Sequence, residues 1–296
     1  MAKIDQLSTT ANGIEFAYLE AGPRDGKLAL CLHGFPDTAH TYRYLLPALA
    51  DAGYRAVAPW MRGYAPTAIP ADGRYQTGAL ATDACALHES LGGDSDAVLI
   101  GHDWGAFAAY GAAAFEPHRW RRVVTMAVPP PSAMSSKFFA YDQLKRSFYV
   151  FFFQSPLAET ALSMNDMEFI DHLWADWSPG LDAAWDISKV KEALGEPDHL
   201  SAAIDYYRAM FDPTRHDPSL EDAQEATNGS PPQPTLYLHG AQDGCMGIET
   251  FDDVEAHLSP GSKHVLVQGG GHFLHLDVPR DVNKEILLFL DCTTVD

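Results

Sequence analysis

Apolar positions along the chain fall into short unbroken runs separated by longer amphipathic stretches. Leu28-Ala29-Leu30-Cys31-Leu32 and Ala97-Val98-Leu99-Ile100 have strand length and no polar alternation. That is the pattern of parallel strands covered on both faces. Gly13 to Ala21, entered through the Asn12-Gly13 turn, adds a strand, as do Tyr54 to Pro59, Arg122 to Val128, Thr235 to His239 and Lys263 to Val267. Helical spacing separates them. It covers Thr41 to Ala52, Thr77 to Leu91 (stopped by Gly92-Gly93), the small-residue run from Gly105 to Ala114, and Arg280 to Leu290. Alternating strands and helices predict an α/β fold, a mostly parallel central sheet with helices on both faces.

The alternation breaks once. From about Ser132 to about Pro218 the chain reads as aromatic-rich helical segments without a convincing strand. This insertion of roughly 85 residues has the size of a small domain. It leaves from the carboxyl end of a strand, where such sheets bind ligands, so it reads as a lid. The expected organisation is a core over residues 1–131, a helical lid over 132–218 and the rest of the core over 219–296. Asn228-Gly229-Ser230-Pro231-Pro232 reads as a linker back to the sheet.

Composition narrows the partners. Hydrophobic content of 46% and charged content of 20% are ordinary for a globular protein. A formal charge of −20 argues against nucleic acid and against anionic membranes. The N-terminus has no apolar stretch of signal length, and the aromatic run Phe148 to Phe153 is too short to span a bilayer. Cys31, Cys85, Cys245 and Cys292 show no pairing rhythm and read as reduced thiols of a cytoplasmic protein.

The chemistry centres on Gly101-His102-Asp103-Trp104-Gly105, between an apolar run and a small-residue helix. This is the spacing of a nucleophile elbow, with aspartate in the central position. An aspartate capping the helix is the competing reading of Asp103. An ionised carboxylate needs no base to attack a saturated carbon, so epoxide opening and halide displacement are both in reach. Either yields an ester of Asp103 that must be hydrolysed. His272, in Gly269-Gly270-Gly271-His272, follows the last strand and suits activation of water. Asp243, in His239-Gly240-Ala241-Gln242-Asp243-Gly244, is the expected third member that orients the imidazole, in the chain order nucleophile, acid, histidine. His275 reads as structural. In His33-Gly34-Phe35-Pro36, the N–H of Phe35 is expected to join that of Trp104 as an oxyanion hole, and Pro36 is a candidate for a cis bond.

Together with Arg62-Gly63-Tyr64, these motifs resemble the soluble epoxide hydrolases of the α/β-hydrolase fold, over most of the chain and in the right order. The Asp-Trp elbow is also similar to that of haloalkane and haloacetate dehalogenases. The resemblance implies two lid tyrosines that protonate the epoxide oxygen. Tyr149, shortly before Phe153-Gln154, matches the first, and Tyr207, in Tyr207-Arg208-Ala209-Met210, the second, with Tyr206 as the alternative. An alkoxide needs such a proton and a halide does not. Phe35, Trp104, Phe152 and Tyr206 are the expected substrate contacts. Around Arg62 the chain departs from the family pattern, with Trp60 in place of an acidic residue and Ala65-Pro66-Thr67 after the tyrosine. The implied reaction converts a small hydrophobic epoxide and water to a vicinal diol, without cofactor or metal, in a monomer or homodimer. A hydrolytic dehalogenase and a non-catalytic ligand-binding member of the fold are the alternatives.

Overall fold

The computed structural model describes residues 2–135 and 137–291; Cys292 lies outside them. Eight strands form one sheet: β1 (Asp5–Ala11), β2 (Ile14–Ala21), β3 (Lys27–Leu32), β4 (Tyr54–Pro59), β5 (Val98–His102), β6 (Arg122–Met126), β7 (Thr235–Gly240) and β8 (Lys263–Val267). Their order is β1-β2-β4-β3-β5-β6-β7-β8. The first two junctions are antiparallel and all later ones parallel. The fold is that of an α/β hydrolase. β3, β5 and β6 lie at its centre, and from Leu28 to Leu32 and Val98 to His102 every residue is buried.

Around the sheet lie α1 (Leu45–Asp51), α2 (Thr77–Ser90) and α3 (Trp104–Phe115). Between β6 and β7 the described residues hold no strand. They form α4 (Pro131–Met134), α5 (Tyr141–Arg146), α6 (Phe148–Phe152), α7 (Ala158–Ser163), α8 (Glu168–Trp177), α9 (Ala184–Leu194) and α10 (Pro197–Phe211). The chain then returns through α11 (Glu221–Ala226) and closes with α12 (Leu274–Asp277) and α13 (Pro279–Asp291). No helix among the described residues is long and apolar enough to cross a membrane. Cys31, Cys85 and Cys245 are buried free thiols.

Two elements differ from the sequence expectation. β1 has no apolar rhythm, because it is an edge strand whose first four residues are exposed. The helix expected from Thr41 starts only at Leu45, after a 3-10 turn over Ala39–Arg43. Pro47 accounts for this: in a continuous α-helix its ring would collide with the carbonyl four residues back, at Arg43.

Arg62-Gly63-Tyr64 is a structural clamp. The buried Arg62 guanidinium donates to both Asp83 oxygens on α2, at 2.6 and 2.7 Å. Thr67 ties the same loop down, donating to Trp60 O at 2.7 Å and accepting from Ala17 N on β2 at 3.0 Å. Asp83→Asn removes the counter-charge of a buried cation, which costs about 3 kcal/mol. Urea unfolding should show this as a lower midpoint with an unchanged slope.

Candidate active site

The site is built at the carboxyl ends of β3, β5, β7 and β8. β5 ends at His102, and Asp103 turns the chain into α3 with φ 51° and ψ −118°. A non-glycine residue held there costs about 1–3 kcal/mol, which the packing on either side must offset. The flanking glycines make the turn possible. A Cβ on Gly101 would lie 2.1 Å from Gly105 O, and one on Gly105 would lie 2.0 Å from Leu32 O. Asp103 caps nothing through its side chain, since its carboxylate makes no capping bond to α3. Instead Oδ1 accepts from Phe35 N at 2.8 Å, and Oδ2 lies 3.6 Å from His272 Nε2.

His272 is fully buried, and its Nδ1 lies 3.0 and 3.2 Å from the two Asp243 oxygens. Asp243 is fixed in turn by the N–H groups of Cys245 and Met246, each 2.8 Å from Oδ1. The structure thus brings Asp103, His272 and Asp243 together. Burial alone would lower the His272 pKa, but Cys245, Asp243 and Asp103 beside it raise it well above the usual imidazole range. Burial pushes Asp103 up, and His272 and the Phe35 N–H outweigh it and hold the carboxyl below its ordinary value. The site thus places His272 between the carboxyl groups of Asp103 and Asp243. Trp104 opens α3, where the first backbone N–H groups have no intrahelical acceptor.

The helical insertion covers this centre with aromatic rings. Tyr149 and Tyr207 are buried with ring centroids 5.6 Å apart. Tyr207 also packs edge-on against Phe35 and Trp104, at 5.3 and 5.0 Å. Burial raises both phenols well above their usual range, and Asp103 adds to the shift of each, so both are protonated near neutrality. The Tyr207 hydroxyl and His272 Nε2 are buried without a hydrogen-bond partner. Tyr149 Oη lies 3.4 Å from Cys245 Sγ. Tyr206 turns elsewhere and donates to Arg62 O at 2.8 Å, its ring 5.5 Å from that of Trp104.

Phe152, expected at the substrate, faces away. Its ring stacks on Phe169, and the next residue, Phe153, meets Phe35, Tyr149 and Tyr207 at 5.4, 5.6 and 5.1 Å. One step along a helix turns a side chain by about 100°, and of the two phenylalanines it is Phe153 that meets Phe35 and Tyr207.

Several contributors escaped the sequence. Cys245, read only as a buried thiol, sits against both Tyr149 and Asp243. Trp177, on α8, accepts from His272 N at 2.9 Å and from Gly244 N at 3.1 Å through its carbonyl. Trp174 stacks on Phe273 at 3.6 Å and donates from Nε1 to Pro36 O at 2.9 Å. His33 donates from Nδ1 to Gly34 O at 2.8 Å and accepts Met61 N–H at 3.0 Å, and burial lowers its pKa to about 4. Phe35–Pro36 is cis.

Comparison with known proteins agrees with this architecture. A sequence-family model described as alpha/beta hydrolase fold matches residues 29–279. Epoxide hydrolase 4 of Homo sapiens is 31% identical over 290 residues, covering 94% of this chain and 76% of that protein. Epoxide hydrolase A of Mycobacterium tuberculosis is 28% identical over 313 residues, covering 94% of this chain and 95% of that protein. Among solved structures, Epoxide Hydrolase A from Mycobacterium thermoresistibile superposes with a TM-score of 0.79 at 25% identity, over 97% of this chain and 98% of that one.

Proposed function

Since the chain is a hydrolase belonging to the α/β hydrolase fold family, we propose that the bond it opens is the carbon–oxygen bond of an epoxide, through an ester on Asp103. The Asp103 carboxylate attacks an epoxide carbon. The oxygen leaves as an alkoxide and takes a proton from Tyr207 or Tyr149. Both phenols are protonated at neutral pH, pack against each other and feel the charge of Asp103. Water, deprotonated by His272 with Asp243 behind it, then attacks the ester carbonyl. The oxyanion that forms is held by the N–H groups of Phe35 and Trp104, and a vicinal diol leaves. The insertion over 132–218 acts as the cap.

The observation that carries this reading is the buried, unpartnered hydroxyl of Tyr207, whose titration is governed by burial and by the charge of Asp103. A departing alkoxide needs such a donor and a halide does not. With its hydroxyl taken by Arg62 O, Tyr206 is the poorer candidate. The substrate is a hydrophobic epoxide that fits against Phe35, Trp104 and Phe153.

A paired assay tests the proposal, with styrene oxide and diol detection in one arm and haloalkanes and haloacetates with halide detection in the other. The expected result is diol without halide. In the Tyr149→Phe/Tyr207→Phe double variant, diol formation should fall by about 10²–10⁴-fold, the usual worth of general acid catalysis. Halide release, or full activity in the double variant, would assign the phenols to packing.

A further inference from the structure

The lid also reaches the acid member of the triad, through a side chain that the proposed reaction does not use. Asp243 lies in residues 241–247, an irregular loop joining β7 to the 3-10 turn at Ile248–Thr250. Gln143, on α5, meets this loop from the lid and is buried. Its Nε2 donates to Cys245 O at 2.9 Å and to Ser147 Oγ at 2.8 Å, and its Oε1 accepts from Gly247 N at 2.9 Å. A backbone carbonyl only accepts and an N–H only donates, so a single orientation of the amide satisfies both contacts with the loop. A buried amide bonded at both ends is fixed in place, and removing it leaves backbone groups of the loop without partners.

Cys245 connects this amide to the base through its backbone. Its carbonyl takes Gln143, while its N–H, with that of Met246, holds Asp243 Oδ1 at 2.8 Å. Asp243 Oδ2 in turn faces His272 Nδ1 at 3.0 Å. Three hydrogen bonds therefore lead from the lid amide to the imidazole. The Trp177 carbonyl also holds this loop, at Gly244 N, but a backbone carbonyl is present whatever side chain stands there. Gln143 is a link that the residue type itself makes. Asp103 is supported from elsewhere, taking its N–H donor from Phe35 on the loop after β3.

We propose that Gln143 is a positioning residue through which the lid aligns Asp243 with His272. The inference rests on the proposed epoxide reading and deepens it. With Gln143 seated, residue 245 is held at both its N–H and its C=O, and Asp243 is aimed at Nδ1. His272 serves in ester hydrolysis, whereas ring opening draws on Asp103 and the phenols, so Gln143 governs the second half of the reaction. Tyr149 touches the same loop through Cys245 Sγ, but the Tyr207 hydroxyl has no such partner and stays available as a proton donor. A misplacement of about 1 Å can cost about 10²-fold, so loss of one support among several should slow hydrolysis by about tenfold.

The test compares the unmodified full chain with Gln143→Met, which keeps the length of the side chain and removes both bonds to the loop. In rapid-quench experiments with styrene oxide, read by intact-protein mass spectrometry, the ester on Asp103 should form at the unmodified rate and decay about tenfold more slowly. A second arm needs no substrate. In protein carrying isotope-labelled histidine, the low-field proton resonance of His272 Nδ1, which faces Asp243, should shift or broaden in the variant while near-ultraviolet circular dichroism overlays. Ser147→Ala removes the other acceptor of the Gln143 amide; it should move both readouts in the same direction by less, and serves if Gln143→Met does not fold. Formation and decay slowed equally, an unchanged decay, or an unchanged Nδ1 resonance overturns the proposal. If the unmodified chain forms no ester, the epoxide reading fails by itself, and the resonance alone decides the role of Gln143.

Discussion

Replacing Asp103 by asparagine should lower steady-state diol formation by about 10⁴-fold or more, the scale seen when a covalent nucleophile is removed. The amide matches the carboxylate in size, and its oxygen can still accept from Phe35 N, now 2.8 Å from Oδ1. It cannot attack carbon. The elbow backbone does not depend on the charge, since the turn is imposed by the close approach of β3, β5 and α3. Near-ultraviolet circular dichroism of the variant should therefore overlay that of the unmodified chain. The measurement is diol release from styrene oxide on freshly purified protein, before the amide can hydrolyse back. Retention of more than a tenth of the activity would mean that another group, or water attacking directly, opens the ring.

His272→Gln should give a different failure: one equivalent of epoxide consumed, then arrest. Ring opening needs the carboxylate and the phenols, all still present. Ester hydrolysis needs the imidazole, and multiple turnover should fall by about 10⁴-fold. Intact-protein mass spectrometry after mixing with styrene oxide should show a single adduct of the mass of the epoxide, mapping to Asp103. An unmodified mass together with lost turnover would reject the ester mechanism while leaving the family assignment untouched.

The resting electrostatics explain why the two halves separate. With Asp103 ionised, its carboxylate is among the groups that raise the His272 imidazole. In the proposed mechanism, esterification would remove the charge of Asp103, and with it one of the groups that raise the imidazole. On the proposed route His272, its proton passed to the phenolate left by ring opening, would then take one from water.

How far the sequence could be read follows the range of the interactions involved. The elbow was legible because strand, nucleophile, glycines and helix lie within about a dozen consecutive residues, and the close contacts of Gly101 and Gly105 are local. The central strands were legible because parallel strands covered on both faces carry unbroken apolar runs. β1 was not, because an edge strand needs none. Phe153 was not legible as the residue against Phe35 and Tyr207, because a run of aromatics does not reveal the phase of a short helix. Cys245 beside Tyr149, and Gln143 beside Cys245 and Gly247, join residues far apart in the chain. Only the folded sheet order brings them within reach.

The carbonyl of Trp177 has a consequence for recombination. It receives N–H groups from Gly244 and His272, while Trp174 reaches Pro36. α8 thus anchors the loop that carries His272, although the chain delivers it in the middle of the insertion. A chimera that exchanges all of 132–218 with a relative would replace the acceptor that holds the His272 loop. One that keeps 168–178 with its own core and exchanges the segments on either side would change the aromatic wall and leave that loop anchored. The natural unit of exchange for new substrate range is therefore a discontinuous cap.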